Sequence, residues 1–84
     1  MMRKSIHTKD YSVFLQVLID ARHRSGLTQG QVGKMLPFEQ PGISKIERGE
    51  RRLDVIELKM ICETLGISLA EFVAEFEKRL TQRK

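Results

Sequence analysis

Few residues in this 84-residue chain stand where side-chain chemistry could be done. His7 and His23 have no partner at metal-ligand spacing, and the single cysteine, Cys62, falls on an apolar helical face. No metal and no other cofactor is expected. Glu71, Glu75 and Glu77 read as the solvated side of a helix, apart from any nucleophile set. Gly30 and Gly33 lack the following GK[ST] of a phosphate-cradling loop. No enzyme is read from these residues, and what remains is the chemistry of charge and of amide groups. Residues 1–53 hold ten Lys or Arg against five Asp or Glu, net +5, whereas residues 54–84 hold five against six, net −1. A basic half beside a neutral one suits a polyanionic partner. The bland alternative is that many small domains are mildly basic.

The elements that must position these groups are helical throughout. The length allows one domain with a thin core, and 40% hydrophobic residues with a net charge of +4 place the chain among globular rather than disordered sequences. No apolar run approaches the roughly 18 residues of a membrane span. The apolar stretch from Val13 to Ile19 is broken by Gln16 and preceded by Asp10, unlike a signal peptide. With one cysteine as well, the protein is expected to be cytoplasmic, with no membrane partner.

Val13, Phe14, Val17, Leu18 and Ala21 recur at helical spacing and predict a helix over residues 10–25, stopped by Gly26. Thr28 and Gln31 have capping-box form and open a short helix carrying Val32, Met35 and Leu36, which must end near Pro37. A third short helix is predicted to start around Gln40-Pro41, to bury Ile43 and Ile46, and to end at Gly49. Asp54 and Glu57 cap a fourth, expected to bury Val55, Leu58, Ile61, Cys62 and Leu65 before Gly66. Ser68 and Glu71 cap a fifth, with Leu69, Phe72, Val73, Phe76 and Leu80 on one stripe. No segment alternates at a strand period. The fold class is therefore all-α, a compact five-helix bundle formed as a single domain over residues 1–84, with flexible tails at 1–9 and 80–84.

Two short helices between longer ones have the helix-turn-helix layout. Gly26-Leu27-Thr28-Gln29 with Val32 and Leu36, then Ile43-Ser44-Lys45-Ile46-Glu47-Arg48-Gly49, resembles the Xre, or Cro/repressor, type of helix-turn-helix domain. The continuations Glu50-Arg51-Arg52-Leu53-Asp54-Val55-Ile56-Glu57 and Leu65-Gly66-Ile67-Ser68 keep the register, so the resemblance covers about residues 17–72. It implies a lambda-repressor-like DNA-binding domain with its core at about residues 13–76 and the motif in helices 2 and 3. It also implies sequence-specific binding of double-stranded DNA, commonly as a homodimer on a palindromic operator.

B-DNA's major groove admits one α-helix, whose N-terminal side chains reach base edges, while the preceding helix aims its positive N-terminus at a phosphate. Thr28 and Gln29 are accordingly assigned to phosphate contact and to anchoring the groove helix. By the resemblance, Gln40, Pro41, Ser44 and Lys45 occupy positions that approach bases. Gln40 can pair bidentately with adenine and Lys45 can donate to guanine. Few direct base contacts are expected, with some reliance on DNA shape. Arg48, Arg51 and Arg52 surround the turn behind that helix and read as phosphate anchors or as arginines near the minor groove; the alternative for each is a solvated surface charge. Arg22 and Glu47 match positions that pair in the family, a structural ion pair joining the first helix to the end of the third. The chain departs from the family pattern at Gly33, at Gly30 and in the unusual turn Pro37-Phe38-Glu39. Gly33 stands where Ala is usual and Gly30 where an acid is common, which together cost about 1–2 kcal/mol in helix propensity. Glu39 suits a helix dipole but opposes a nearby phosphate.

The apolar stripe of the last helix has two readings. Phe72, Phe76 and Leu80 form a homodimer interface, or the stripe folds back on Tyr11, Phe14 and Leu18; if both hold, Val73 is expected inside and Phe76 outside. The expected function is a DNA-binding transcriptional regulator, a dimeric repressor or autoregulator governed by its concentration or by a partner protein. The alternative is a protein-interaction module such as an antitoxin, whose main task is to mask another protein. The controller protein of a restriction–modification system would be chemically the same dimeric DNA binder.

Overall fold

The computed structural model describes residues 8–36 and 42–82. Thr8 opens the first helix, its hydroxyl accepting from the Tyr11 amide at 3.1 Å, and α1 runs Lys9–Ser25 to a close at Gly26. Helix α2, Gln29–Met35, begins with a reciprocal cap: Thr28 Oγ1 accepts from the Gln31 amide at 3.1 Å, and Gln31 Oε1 accepts from the Thr28 amide at 2.9 Å. Asp54 and Glu57 do the same for α4, Val55–Leu65, which Gly66 closes. Ser68 and Glu71 do it for α5, Leu69–Gln82. Each of these boxes satisfies two amides that no intrahelical carbonyl can reach, which sets where the helix starts.

Helix α3, Ile43–Glu47, has no side-chain cap and begins later than the sequence predicts. Gly42 precedes it with φ +104°, a conformation open to glycine but strained for other residues, so the helical turn starts only at Ile43. Ser44 and Lys45 consequently lie in the first turn. Gln40 and Pro41, and the Pro37-Phe38-Glu39 turn, lie outside the described residues.

The core is one cluster drawn from every helix. Val17, Leu18 and Ala21 of α1 meet Val32 and Leu36 at α2, Ile43 and Ile46 of α3, Leu58, Ile61, Cys62 and Leu65 of α4, and Phe72 of α5. Val55, expected to be buried, is exposed, as is Met35. Each is the terminal residue of its helix, where the apolar stripe runs past the edge of its neighbours. No strand occurs among the described residues, and none of their helices is long and apolar enough to cross a membrane.

The last helix reverses the expected order. Phe72 is 1% exposed and Val73 43% exposed, while Phe76 packs against the core. Phe14 gathers these rings, standing edge-on to Phe72 at 5.5 Å and to Phe76 at 6.0 Å, with Tyr11 tilted against it at 5.0 Å. Phe72 and Phe76 are four residues apart and share a face, whereas Val73 is rotated about 100° away. Phe72 is consumed by the core of its own chain and leaves no surface for a dimer interface. Arg79 further ties α5 to α1, donating to Asp20 and to Glu75 at 2.8 Å each. Lys9 and residues 80–82, placed in tails by the sequence, are helical.

Three truncations test this packing by denaturant unfolding. Phe72→Ala is expected to cost about 3–5 kcal/mol, Phe76→Ala less than that, and Val73→Ala under about 1 kcal/mol. A larger loss for Val73 than for Phe76 would overturn the orientation of α5. A Cβ added at Gly30 would meet only Thr28 Oγ1, at 4.0 Å, so Gly30→Ala is expected to stabilise the fold by up to about 1 kcal/mol.

Candidate nucleic-acid interface

One carboxylate joins the first three helices. Glu47, the last residue of α3, accepts from Arg22 Nε of α1 at 2.6 Å through Oε2. Its Oε1 accepts from Arg22 Nη2 at 3.1 Å and from Gln29 Nε2 of α2 at 2.8 Å. Arg22 Nη1 also donates to the Leu27 carbonyl at 3.0 Å, so the guanidinium spans the α1–α2 turn. The Arg22 and Glu47 side chains are only 12% and 6% exposed. A two-pronged pair with its remaining donors occupied is directional, which makes it suited to fixing angles between helices.

This arrangement changes what Gln29 does. Its amide nitrogen is turned onto Glu47 rather than held for a phosphate, so the side chain acts by holding α2 on α3. The Thr28 hydroxyl caps α2 as an acceptor, and that bond does not use its own hydrogen. On α3, Ile43 and Ile46 face the core, Ser44 is half-buried and Lys45 is exposed. Lys34 joins Gln29, Gly30, Gly33 and Ser44 in lining a shallow groove of about 420 Å³ between α2 and α3. Lys34 is missing from the sequence-derived set; its one signal was a position four residues after exposed Gly30, on the same helical face.

The three arginines behind α3 differ in how they are held. Arg51 Nη2 donates to Glu57 Oε2 at 2.9 Å, and its Nη1 donates to the Arg52 carbonyl at 3.1 Å. Because Glu57 also closes the cap of α4, Arg51 staples the α3–α4 loop to the start of that helix. Hydrogen bonding from Arg51 holds the Glu57 carboxyl below the ordinary glutamate value. Arg48 grips Glu50 through Nε and Nη2, both at 3.0 Å, with each side chain 54% exposed. Arg52 is exposed. Neither the Arg51 nor the Arg48 pairing was read from the sequence. An arginine two or six residues before a glutamate carries no periodic signal, and only the fold of the loop brings them together.

Cys62 is wholly enclosed, and burial pushes its thiol up to about 11, the behaviour of a core residue rather than of a nucleophile. Among the described residues, no group of three or more His, Cys, Asp or Glu side chains could hold a metal ion.

Residues 18–72 match the helix-turn-helix family, and the chain belongs to it, a family of DNA-binding transcriptional regulators. A similar protein from Sinorhizobium fredii (strain NBRC 101917 / NGR234), described as the uncharacterized HTH-type transcriptional regulator y4dJ, is 40% identical over 52 residues. The match covers 62% of this chain and 68% of that relative.

Breaking the central brace should be costly. Glu47→Ala strands a shielded guanidinium and is expected to lose about 3–5 kcal/mol of stability by denaturant titration; a loss no larger than that of an exposed pair would remove Glu47 from this role. Glu57 contributes stability that is present above the ordinary glutamate pKa, about 4.3, and is lost as pH falls through its lowered folded value. Glu57→Gln should therefore flatten the acid side of the stability profile below about pH 5, and an unchanged profile would refute the coupling.

Proposed function

We propose that this protein is a transcriptional repressor or autoregulator that binds a palindromic operator as a homodimer, with α3 in the major groove. The observation that carries this reading is the Glu47 brace, which holds α2 and α3 against α1 while Ile43 and Ile46 anchor α3 in the core and Lys45 stays in solvent. Lys45 and Ser44, with Gln40 and Pro41 just before them in sequence, are the proposed base-contacting residues. Thr28, Lys34, Arg48 and Arg52 are the proposed phosphate contacts, while Gln29 and Arg51 act by positioning. The description of the Sinorhizobium relative as a transcriptional regulator supports the same activity here. A cytoplasmic location follows from that role.

A dimer needs a self-complementary apolar surface. Val55 and Ile56 supply exposed apolar side chains at the start of α4, directly after the arginine loop. Of the sequence-derived candidates Phe72, Phe76 and Leu80, Phe72 is buried and Phe76 is already engaged with Phe14. Ile56→Glu is therefore the cleaner probe: it should convert dimer to monomer in sedimentation without disturbing the helical signal. A mass unaffected by this change would remove this surface from the interface.

Selection from random duplex DNA at two salt concentrations tests the function itself. The expected result is an enriched palindrome with half-sites about one helical turn apart and affinity that falls steeply with salt. Lys45→Ala should relax preference at one or two base pairs at a cost of roughly 1–3 kcal/mol, whereas Arg52→Ala should weaken all sequences alike. Absence of any enriched sequence would favour the partner-masking alternative.

A further inference from the structure

Glu50 is an acid placed immediately behind the helix proposed to enter the groove. Its backbone amide donates to the Lys45 carbonyl at 2.8 Å, and the Arg48 amide donates to the Ser44 carbonyl at 3.0 Å, so both residues are pinned to the end of α3. Its carboxylate receives Nε and Nη2 of Arg48 through separate oxygens, both at 3.0 Å. That two-pronged geometry is the one a guanidinium offers to two oxygens of a phosphate group. Resting on the DNA-binding reading above, we propose that Glu50 is an internal phosphate mimic that occupies Arg48 in the free protein and competes with the DNA backbone for it.

Three features of the loop carry this. Arg51 is held by Glu57, which is itself committed to the cap of α4, so that pair serves the fold and is not exchanged at little cost. The Glu50 carboxylate caps none of the described helices, and its pair with Arg48 is about half exposed on both sides. Glu50 also adds a negative charge at the site where backbone phosphates would lie, close to Lys45, so binding must overcome repulsion as well as the existing pair. The effect falls on the sequence-independent part of the affinity, because phosphate contacts are the same for every sequence. Glu50 thus weakens attachment to arbitrary DNA and raises the share of discrimination that base contacts supply.

Fluorescence anisotropy with a mixed-sequence duplex of about 20 base pairs, read between about 50 and 200 mM salt, tests the proposal on the full chain. Glu50→Gln keeps the shape and removes the charge. It should bind roughly fivefold tighter at the lower salt, with the log–log salt slope steeper by about one. Glu63→Gln deletes the same charge from the exposed Lys59–Glu63 pair on α4 and serves as the comparison; it should stay within about twofold of wild type. In an Arg48→Gln background, most of the gain from Glu50→Gln should vanish. Wild-type binding with no gain in Glu50→Gln would overturn the proposal alone. An equal gain from Glu63→Gln, or a full gain without Arg48, would replace competition by net charge and overturn it as well. Failure of wild type and Glu50→Gln alike to bind the duplex would overturn the DNA-binding reading, and the proposal with it.

Discussion

The geometry of the motif depends on a single shielded carboxylate. Helices α2 and α3 are seven and five residues long, too short to hold a conformation by their own hydrogen bonds, since isolated helices of this length are unstable in water. Each places few side chains in the core: Val32 from α2, Ile43 and Ile46 from α3. Apolar contacts of that number fix burial but leave rotation about the helix axis loosely determined, because dispersion and the hydrophobic effect carry little direction. Glu47 supplies the missing direction. Bound by Arg22 from α1 and Gln29 from α2, it locks the end of α3 to the start of α2 with hydrogen bonds that tolerate little change in angle.

The longer helices solve a different problem. In a domain this small the core is thin, and a helix that starts one residue early or late would misplace a substantial part of it. The Thr8 hydroxyl at α1 and reciprocal caps at Asp54 and Ser68 for α4 and α5 set those starts through local hydrogen bonds that require no tertiary contact. The Phe14, Phe72 and Phe76 rings then bind α5 to α1, and Arg79 with Asp20 adds a polar tie at the rim. The platform behind the motif is thus made from the first and last helices of the chain, and the paired short helices are mounted on it.

Charge in the loop after α3 is partitioned by duty. Arg51 serves the fold through Glu57, Arg48 is matched to an exposed acid, and Arg52 stays in solvent. Counting basic residues would treat the three alike. What distinguishes them is the company each keeps, so more of the loop's positive charge is committed within the protein than the formal count suggests.

Much of this protein was legible in its residues. Helix number, the three capping boxes, the closing glycines and most of the core follow from interactions within four or five residues, and local chemistry is written in local sequence. Apolar periodicity placed Phe72 on the stripe of α5, but it could not rank Val73 against Phe76, since both lie on a broad apolar arc and only the position of Phe14 decides which is covered. A proline is tolerated in a first turn and so predicts an earlier start for α3, whereas the positive φ of Gly42 is a property of the folded chain. The duties of Gln29, Arg48 and Arg51 were likewise beyond sequence. A polar side chain with several rotatable bonds can reach many partners, and which one it takes depends on where the backbone of a different element has been brought. The sequence by itself determined the helices and the class of protein; the tertiary structure alone decided which polar groups are spent on the fold and which stay in solvent.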